Sequence, residues 1–376
     1  MKVEAFDVAV IGGGLHGLSA ALHLARAGRR VAVIERRWTG RHASGATAAG
    51  VRTLNRDIAE IPISLEAMEM WHRIETLVGD DCGFHAHGQM RIAERAEHMP
   101  ALLQREARMR SLGYAHEEMI DAAELRRLVP ALSPHCVGAL VARNDGAADP
   151  HRTVMAFRRA CEAEGVVIAE GCGVEAVERQ GAGWLLACGE RGFRAPIVVN
   201  AAGAWAGRLA AQFGDRIELG VRASMMMVTE RLAPLLEPVV SVVGRALSFK
   251  QSDQGTLVIG GGLQGAADVE RESSTVNFRE LAKGARAASD LFPVVRGVRI
   301  ARCWTGIEAQ TRDHLPVIGT SPNAPGLFHA FGFSGHGFQL VPVVGAILAD
   351  LVVEGATRRE IAAFAPRRLM EERAAA

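Results

Sequence analysis

Lysine is almost absent from this chain. Among 43 basic residues only Lys2, Lys250 and Lys283 carry an ammonium group, and Tyr114 is the single tyrosine. A site built on several ammonium or phenol groups is therefore excluded. Net charge is missing too: 43 basic residues face 42 acidic ones, for a formal charge of +1. The arginines are spread rather than clustered, so no nucleic-acid partner is expected. No run of about 18 apolar residues exists to span a bilayer. A strand pattern begins within the first few residues, leaving no room for a secretory leader, and a cytoplasmic protein is expected. Cys82, Cys136, Cys161, Cys172, Cys188 and Cys303 form no C-x-x-C pair. That excludes an iron–sulfur or zinc centre, no metal site is expected, and in a reducing compartment all of them are expected as thiols.

What is present is an ordinary globular composition, 49% hydrophobic and 23% charged over 376 residues, long enough for two intertwined domains. The most informative segment is the start. Asp7-Val8-Ala9-Val10-Ile11 reads as a buried strand, Gly12-Gly13-Gly14-Leu15-His16-Gly17 follows, then a helix pattern, then the strand Val31-Ala32-Val33-Ile34-Glu35. Gly12 permits a tight turn, Gly14 lets the backbone approach a diphosphate, and Gly17 allows the helix to pack closely on the sheet. The helix N-terminus supplies unpaired N–H groups and a positive dipole end for the phosphates. Glu35 can accept both hydroxyls of an adenosine ribose and would repel a 2′-phosphate. The nucleotide is thus FAD or NAD rather than NADP.

Further along, apolar spacing predicts a helix over 64–79 and shorter ones over 99–113 and 122–131. Asp149-Pro150 opens a helix that Gly165 closes. The strand ending Val199-Asn200-Ala201-Ala202-Gly203-Ala204-Trp205 puts small residues where the backbone meets the nucleotide a second time. From Arg222 to Gly262 strands dominate, and the adjacent Met225, Met226 and Met227 read as core, alternating faces. A glycine-rich run, Gly332-Phe333-Ser334-Gly335-His336-Gly337-Phe338-Gln339, leads into an apolar helix over 340–353.

These segments together resemble the FAD-dependent amine and amino-acid oxidoreductases, the family of glycine oxidase, sarcosine oxidase and D-amino-acid dehydrogenase, over nearly the whole chain. The Gly50–Arg56 stretch, Trp304-Thr305-Gly306-Ile307-Glu308 and the Gly332–Gln339 run are most similar to flavin subunits of hydroxyproline dehydrogenases and opine oxidases. The resemblance implies an α/β fold: a Rossmann-like FAD-binding domain (1–80, 145–220 and 298–376) with an α+β antiparallel-sheet substrate domain (81–144 and 221–297). It implies cofactor contacts from Gly12, Gly14, Leu15, His16, Gly17, Glu35 and Arg36. Others would come from Ser44, Thr47, Ala48, Ala49, Gly50, Val174, Ala201, Gly203, Trp205 and Gly306, and from Gly332, Gly335, His336, Gly337, Phe338 and Gln339. The implied chemistry is oxidation of a C–N bond, with hydride passing to flavin N5.

Three departures narrow this expectation. Where relatives place an arginine for the substrate carboxylate, two residues after Gly306, this chain has Glu308. That carboxylate would accept from the substrate's amine or ring hydroxyl, leaving Arg52 or Arg56 as the carboxylate clamp. Val258 stands where sarcosine oxidases carry an oxygen-activating lysine, which favours a dehydrogenase with an electron-accepting partner subunit. Cys303 falls where some relatives attach flavin covalently; non-covalent FAD is expected, with a Cys303 thioether left open. His336 reads as a flavin-proximal, loop-shaping residue. The expected substrate is a secondary or cyclic amino acid of the D-hydroxyproline or opine type. The alternatives are an O₂-using oxidase of glycine, sarcosine or a D-amino acid, and a flavin electron-relay subunit.

Overall fold

Val8–Ile11 and Val31–Ile34 are buried at every position, as parallel strands covered on both faces must be. In the computed structural model, which describes residues 1–370, they lie in a six-stranded sheet. Its order is Val317–Thr320, Leu327–Phe331, Ile197–Asn200, Val8–Ile11, Val31–Ile34, Val167–Ala169. All pairs are parallel except the antiparallel edge at Val317–Thr320. Val8, Val10, Val31 and Val33 face a layer of helices, Leu15–Arg26, Ile61–Trp71, Pro150–Ala163 and Val341–Val353. Ala9, Ile11, Ala32 and Ile34 face the other way, onto Trp184, Leu186 and Phe193 of a four-stranded sheet. The helix after the glycines and the last long helix, from opposite ends of the chain, pack against each other.

The second body is an eight-stranded sheet ordered Ile300–Gln310, Gly220–Arg231, Thr256–Gly260, Ser248–Gln251, Val239–Val242, Gln89–Ala93, Gly138–Ala142, Glu118–Asp121. It is antiparallel apart from the Val239–Val242 and Gln89–Ala93 pair, where two strands from distant segments meet without a hairpin. One face is closed by the helix Phe278–Leu291 over Met225, Met227, Phe249 and Leu257. Met226 faces the opposite side, as strand alternation requires.

Some boundaries differ from expectation. Ile300–Gln310 pairs with Gly220–Arg231 from Gly220↔Gln310 to Thr229↔Ile300, so the larger sheet extends past the expected boundary at 297/298. Residues 371–376, included in the expected nucleotide domain, lie outside the described residues. The helix expected over 64–79 is two helices, Ile61–Trp71 and Ile74–Val78, the second closed by Gly79 in the left-handed region. The expectation that all cysteines are thiols is corrected: Cys172 and Cys188 form a disulfide. The fold brings the loop after Val167–Ala169 beside the end of Gly183–Cys188, a proximity that spacing alone does not reveal.

Gly12 has φ +109°, and a Cβ there would lie 2.4 Å from the Ala201 carbonyl oxygen. Gly28 also has positive φ, +76°, but faces open space. We expect Gly28→Ala to cost about 1–2 kcal/mol, the left-handed penalty alone. Gly12→Ala should cost more than about 3 kcal/mol and lose any nucleotide held at this turn, as read by urea unfolding and the nucleotide content of the purified protein.

Candidate active site

A cavity of about 780 Å³ runs between the two bodies, within the range of a large-ligand site. Its nucleotide end is built by close approach. A Cβ on Gly17 would sit 2.0 Å from the Gly12 carbonyl oxygen, and one on Gly14 would sit 3.1 Å from Ser44 Oγ. Ser44 Oγ accepts the Leu15 N–H at 2.9 Å, tying the segment after the second strand to the helix start. Glu35 accepts the Gly13 N–H at 2.7 Å and the Arg37 N–H at 2.9 Å, which fixes its carboxylate at the cavity wall. Val174, Ala201, Gly203 and Trp205 line the same end. Over it lies a hairpin of the larger body, where Glu272 takes Arg36 Nη1 at 2.7 Å and Arg37 Nε at 2.9 Å, with Arg41 4.0 Å away.

The middle is closed from both chain ends. His16 stacks on Phe333 at 3.6 Å between ring centroids, and a Cβ on Gly337 would meet both rings' atoms. Burial pushes His16 down to about 3, against a hydrogen bond from its ring to the Gly337 backbone carbonyl; its Nδ1 is buried without a partner among the described residues. Thr47 Oγ1 accepts the Ala49 N–H, Gly50 pairs with Ala147, and Gly306 leaves no room for a Cβ against Ala46. A three-glycine cradle, a helix start, a ribose-ready carboxylate and an unpartnered buried imidazole fit a flavin dinucleotide. Cys303 does not contribute to it. It packs with the Met227 core on the far face of its strand, so the thioether left open by the sequence is not supplied.

The substrate end carries the four expected side chains in different settings. Arg56 is buried and fully engaged: Nε donates to the Arg52 carbonyl, Nη1 to the His336 carbonyl at 2.8 Å, and Nη2 to Gln339 Oε1 at 3.0 Å. It therefore positions the loop and is not free to clamp a carboxylate. Arg52 lines the cavity and spends only Nη1, on the carbonyls of Leu54 and Asn55, with no hydrogen bond from Nε or Nη2 among the described residues. His336 lies 3.3 Å from Glu60, and burial pushes its imidazole below its ordinary value. Glu308 lines the cavity beside Gly335 and accepts from the Ser224 hydroxyl. Burial raises its carboxyl, opposed by Ser224 and by the charge of Arg222.

Several contributors carry no motif. Asp145 accepts the Thr53 and Leu54 N–H groups at 2.8 and 2.9 Å, and Glu117 accepts Asn55 N–H at 2.6 Å; together they pin the turn that presents Arg52. Burial raises Glu60, but the His336 hydrogen bond and the Arg56 and Arg52 charges outweigh it and hold it below the ordinary carboxylate range. Gln264 donates to Ser224 Oγ at 3.2 Å. Lys250 is cross-strand to Val258 and donates to the Ala148 carbonyl at 3.1 Å, its ammonium pushed down to about 8 by burial.

This fold, with a dinucleotide cradle facing a polar pocket on an antiparallel sheet, defines a flavin-dependent oxidoreductase. The chain belongs to the FAD dependent oxidoreductase family, whose model matches residues 7–351, and its cofactor is FAD, held non-covalently. It is 27% identical over 359 residues to the beta chain of sarcosine oxidase from Rhodobacter capsulatus, covering 93% of this chain and 85% of that one. It is 26% identical over 378 residues to a subunit of opine oxidase from Agrobacterium tumefaciens, covering 98% and 99%. The crystal structure of glycine oxidase from Geobacillus kaustophilus superposes with a TM-score of 0.88 at 25% identity, covering 98% and 99%. The protein is an FAD-dependent amino-acid oxidoreductase. Among the described residues there is no group of side chains able to hold a metal ion and no helix long and apolar enough to cross a membrane.

His16, His23 and His42 have values of about 3, 4 and 4, each lowered from 6.5 chiefly by burial. A depressed histidine contributes stability that is complete above pH 6.5 and is lost as pH falls through the folded value. Urea unfolding should therefore show a lower midpoint at about pH 4.5 than at about pH 7.5. His23→Gln, which changes a residue between the two packed helices, should flatten that difference.

Proposed function

We propose that this chain oxidises the C–N bond of a secondary or cyclic amino acid, of the D-hydroxyproline or opine type, and that it works as a dehydrogenase. The observation that carries this reading is Glu308, half-buried on the cavity wall with Ser224 hydrogen-bonded to it. A carboxylate there repels a substrate carboxylate and attracts an ammonium group. Arg52 takes the substrate carboxylate through a paired guanidinium contact, and Glu308 accepts the ammonium proton, leaving the neutral amine that reacts. The α-carbon then gives up a hydride, the C=N bond forms, and water later cleaves the imine, to an amine and an oxo acid from an open-chain substrate or to a single ring-opened amino oxo acid from a cyclic one. FAD, when bound, supplies the two-electron acceptor for that hydride. Arg56, Glu60, His336 and Asp145 hold Arg52 and the Gly332–Gln339 loop in place.

An electron-accepting partner subunit is supported by the relatives named as subunits of sarcosine oxidase and opine oxidase. Val258 supports slow reaction with oxygen; the nearby Lys250 turns its ammonium onto Ala148 and is not among the cavity-lining groups. A cytoplasmic location fits the four thiols Cys82, Cys136, Cys161 and Cys303, and the Cys172–Cys188 disulfide opposes it.

Anaerobic mixing with prolines, opines and N-methyl amino acids should bleach the flavin, and simple primary amino acids should not. Bleaching by primary amino acids alone would overturn the reading. On admission of air the colour should return slowly and be hastened by a dye, and Lys250→Met should leave that rate unchanged. Glu308 must be ionised to take the proton, so reduction should slow as pH falls through its raised pKa. Glu308→Gln should lower the reduction rate by about 10²–10⁴-fold and abolish that acid limb.

A further inference from the structure

Among the described residues, Arg222 is the one charged side chain lining the substrate end of the cavity to which the proposed chemistry gives no task. It lies on the strand Gly220–Arg231 directly opposite Glu308, and residues directly opposite in an antiparallel pair share a face. It lines the same cavity, and among the described residues it makes no hydrogen bond and no ion pair. Moving along the wall, Arg52 adjoins the Glu60 and His336 cluster, His336 follows Gly335, and a Cβ on Gly335 would stand 3.6 Å from the Glu308 carboxylate oxygens. Arg222 comes next. The wall therefore reads positive, negative, positive.

We infer that the substrate is a secondary amine carrying a carboxylate on each arm, held by Arg52 at one end and Arg222 at the other with its ammonium on Glu308. This rests on the proposed oxidation and selects among its substrates. Such a molecule presents negative, positive, negative charge in sequence, the complement of the wall. A monocarboxylate amino acid would leave Arg222 only Glu308 to answer its charge, and the substrate ammonium draws on that same carboxylate. Ser224, Gln264 and Ser248, beside Gly261 and Gly262, give the second arm a polar floor with little side-chain bulk.

The test uses unreactive sulfide analogues on the holoenzyme: thiodiacetate with two carboxylates and methylthioacetate with one, their affinities read by calorimetry. Thiodiacetate should bind about 10- to 100-fold more tightly, the gain from one charge-assisted pair. In Arg222→Met that ratio should collapse toward one, and Arg222→Lys should restore part of it. A ratio near one in the unaltered protein, or a preference that survives Arg222→Met, overturns the inference. Flavin bleaching separates the two ideas. If sarcosine and proline bleach the flavin but the diacid preference is absent, the subsite falls and the oxidation stands. If no secondary amine bleaches it while the preference and its loss in Arg222→Met are observed, the subsite stands and the oxidation falls.

Discussion

The buried guanidinium of Arg56 is the tie on which the active site depends. It joins the turn after Gly50 to the loop before the last long helix, through the His336 carbonyl and the Gln339 side chain, across 280 residues of sequence. Glu60, four residues on, balances its charge, and Ser64 and Trp71 of the helix Ile61–Trp71 also reach Gln339. An unpaired charge at this depth is costly: breaking a buried pair by removing one partner costs about 3–5 kcal/mol. The network is thus rigid because it cannot be half formed. Its stiffness is passed to Arg52, which has only to point.

Charge is handled differently at the two ends of the cavity. Near Glu35 and the helix start, backbone N–H groups and a dipole do the work, and the arginines there are gathered onto Glu272 rather than offered to the ligand. At the substrate end the arginines act through their side chains, and burial tunes the neighbouring acids. Glu308 is half-buried and Glu60 fully buried, yet desolvation wins for the first and the cations win for the second. The difference is the number of cations facing each, one for Glu308 and two with a histidine for Glu60.

The nucleotide half was legible because its constraints are local. Glycines at 12, 14 and 17 must fall within one strand-to-helix junction, and a carboxylate must end the next strand. The substrate half was legible only in outline. Arg52, Arg56 and Glu308 were visible as residues, but their burial decides their tasks, and burial belongs to the assembled fold. Asp145, Glu117 and Glu60 had no signature at all, since an acid that accepts backbone N–H groups from a distant turn looks like any surface acid. The disulfide was missed for the same reason: Cys172 and Cys188 are 16 residues apart, and only sheet packing makes them neighbours.

The pairing of His16 with Phe333 and Gly337 has a consequence for how the protein is made. The glycine turn leaves the ribosome about 320 residues before the loop around Phe333 that completes the cavity. At about 5–20 residues per second the interval is roughly a quarter of a minute to a minute. During that time the first helix lacks the apolar helix that covers it. Cofactor capture is therefore a late event in biosynthesis, and a chain that stops short of the final helix is left without a place to keep a flavin.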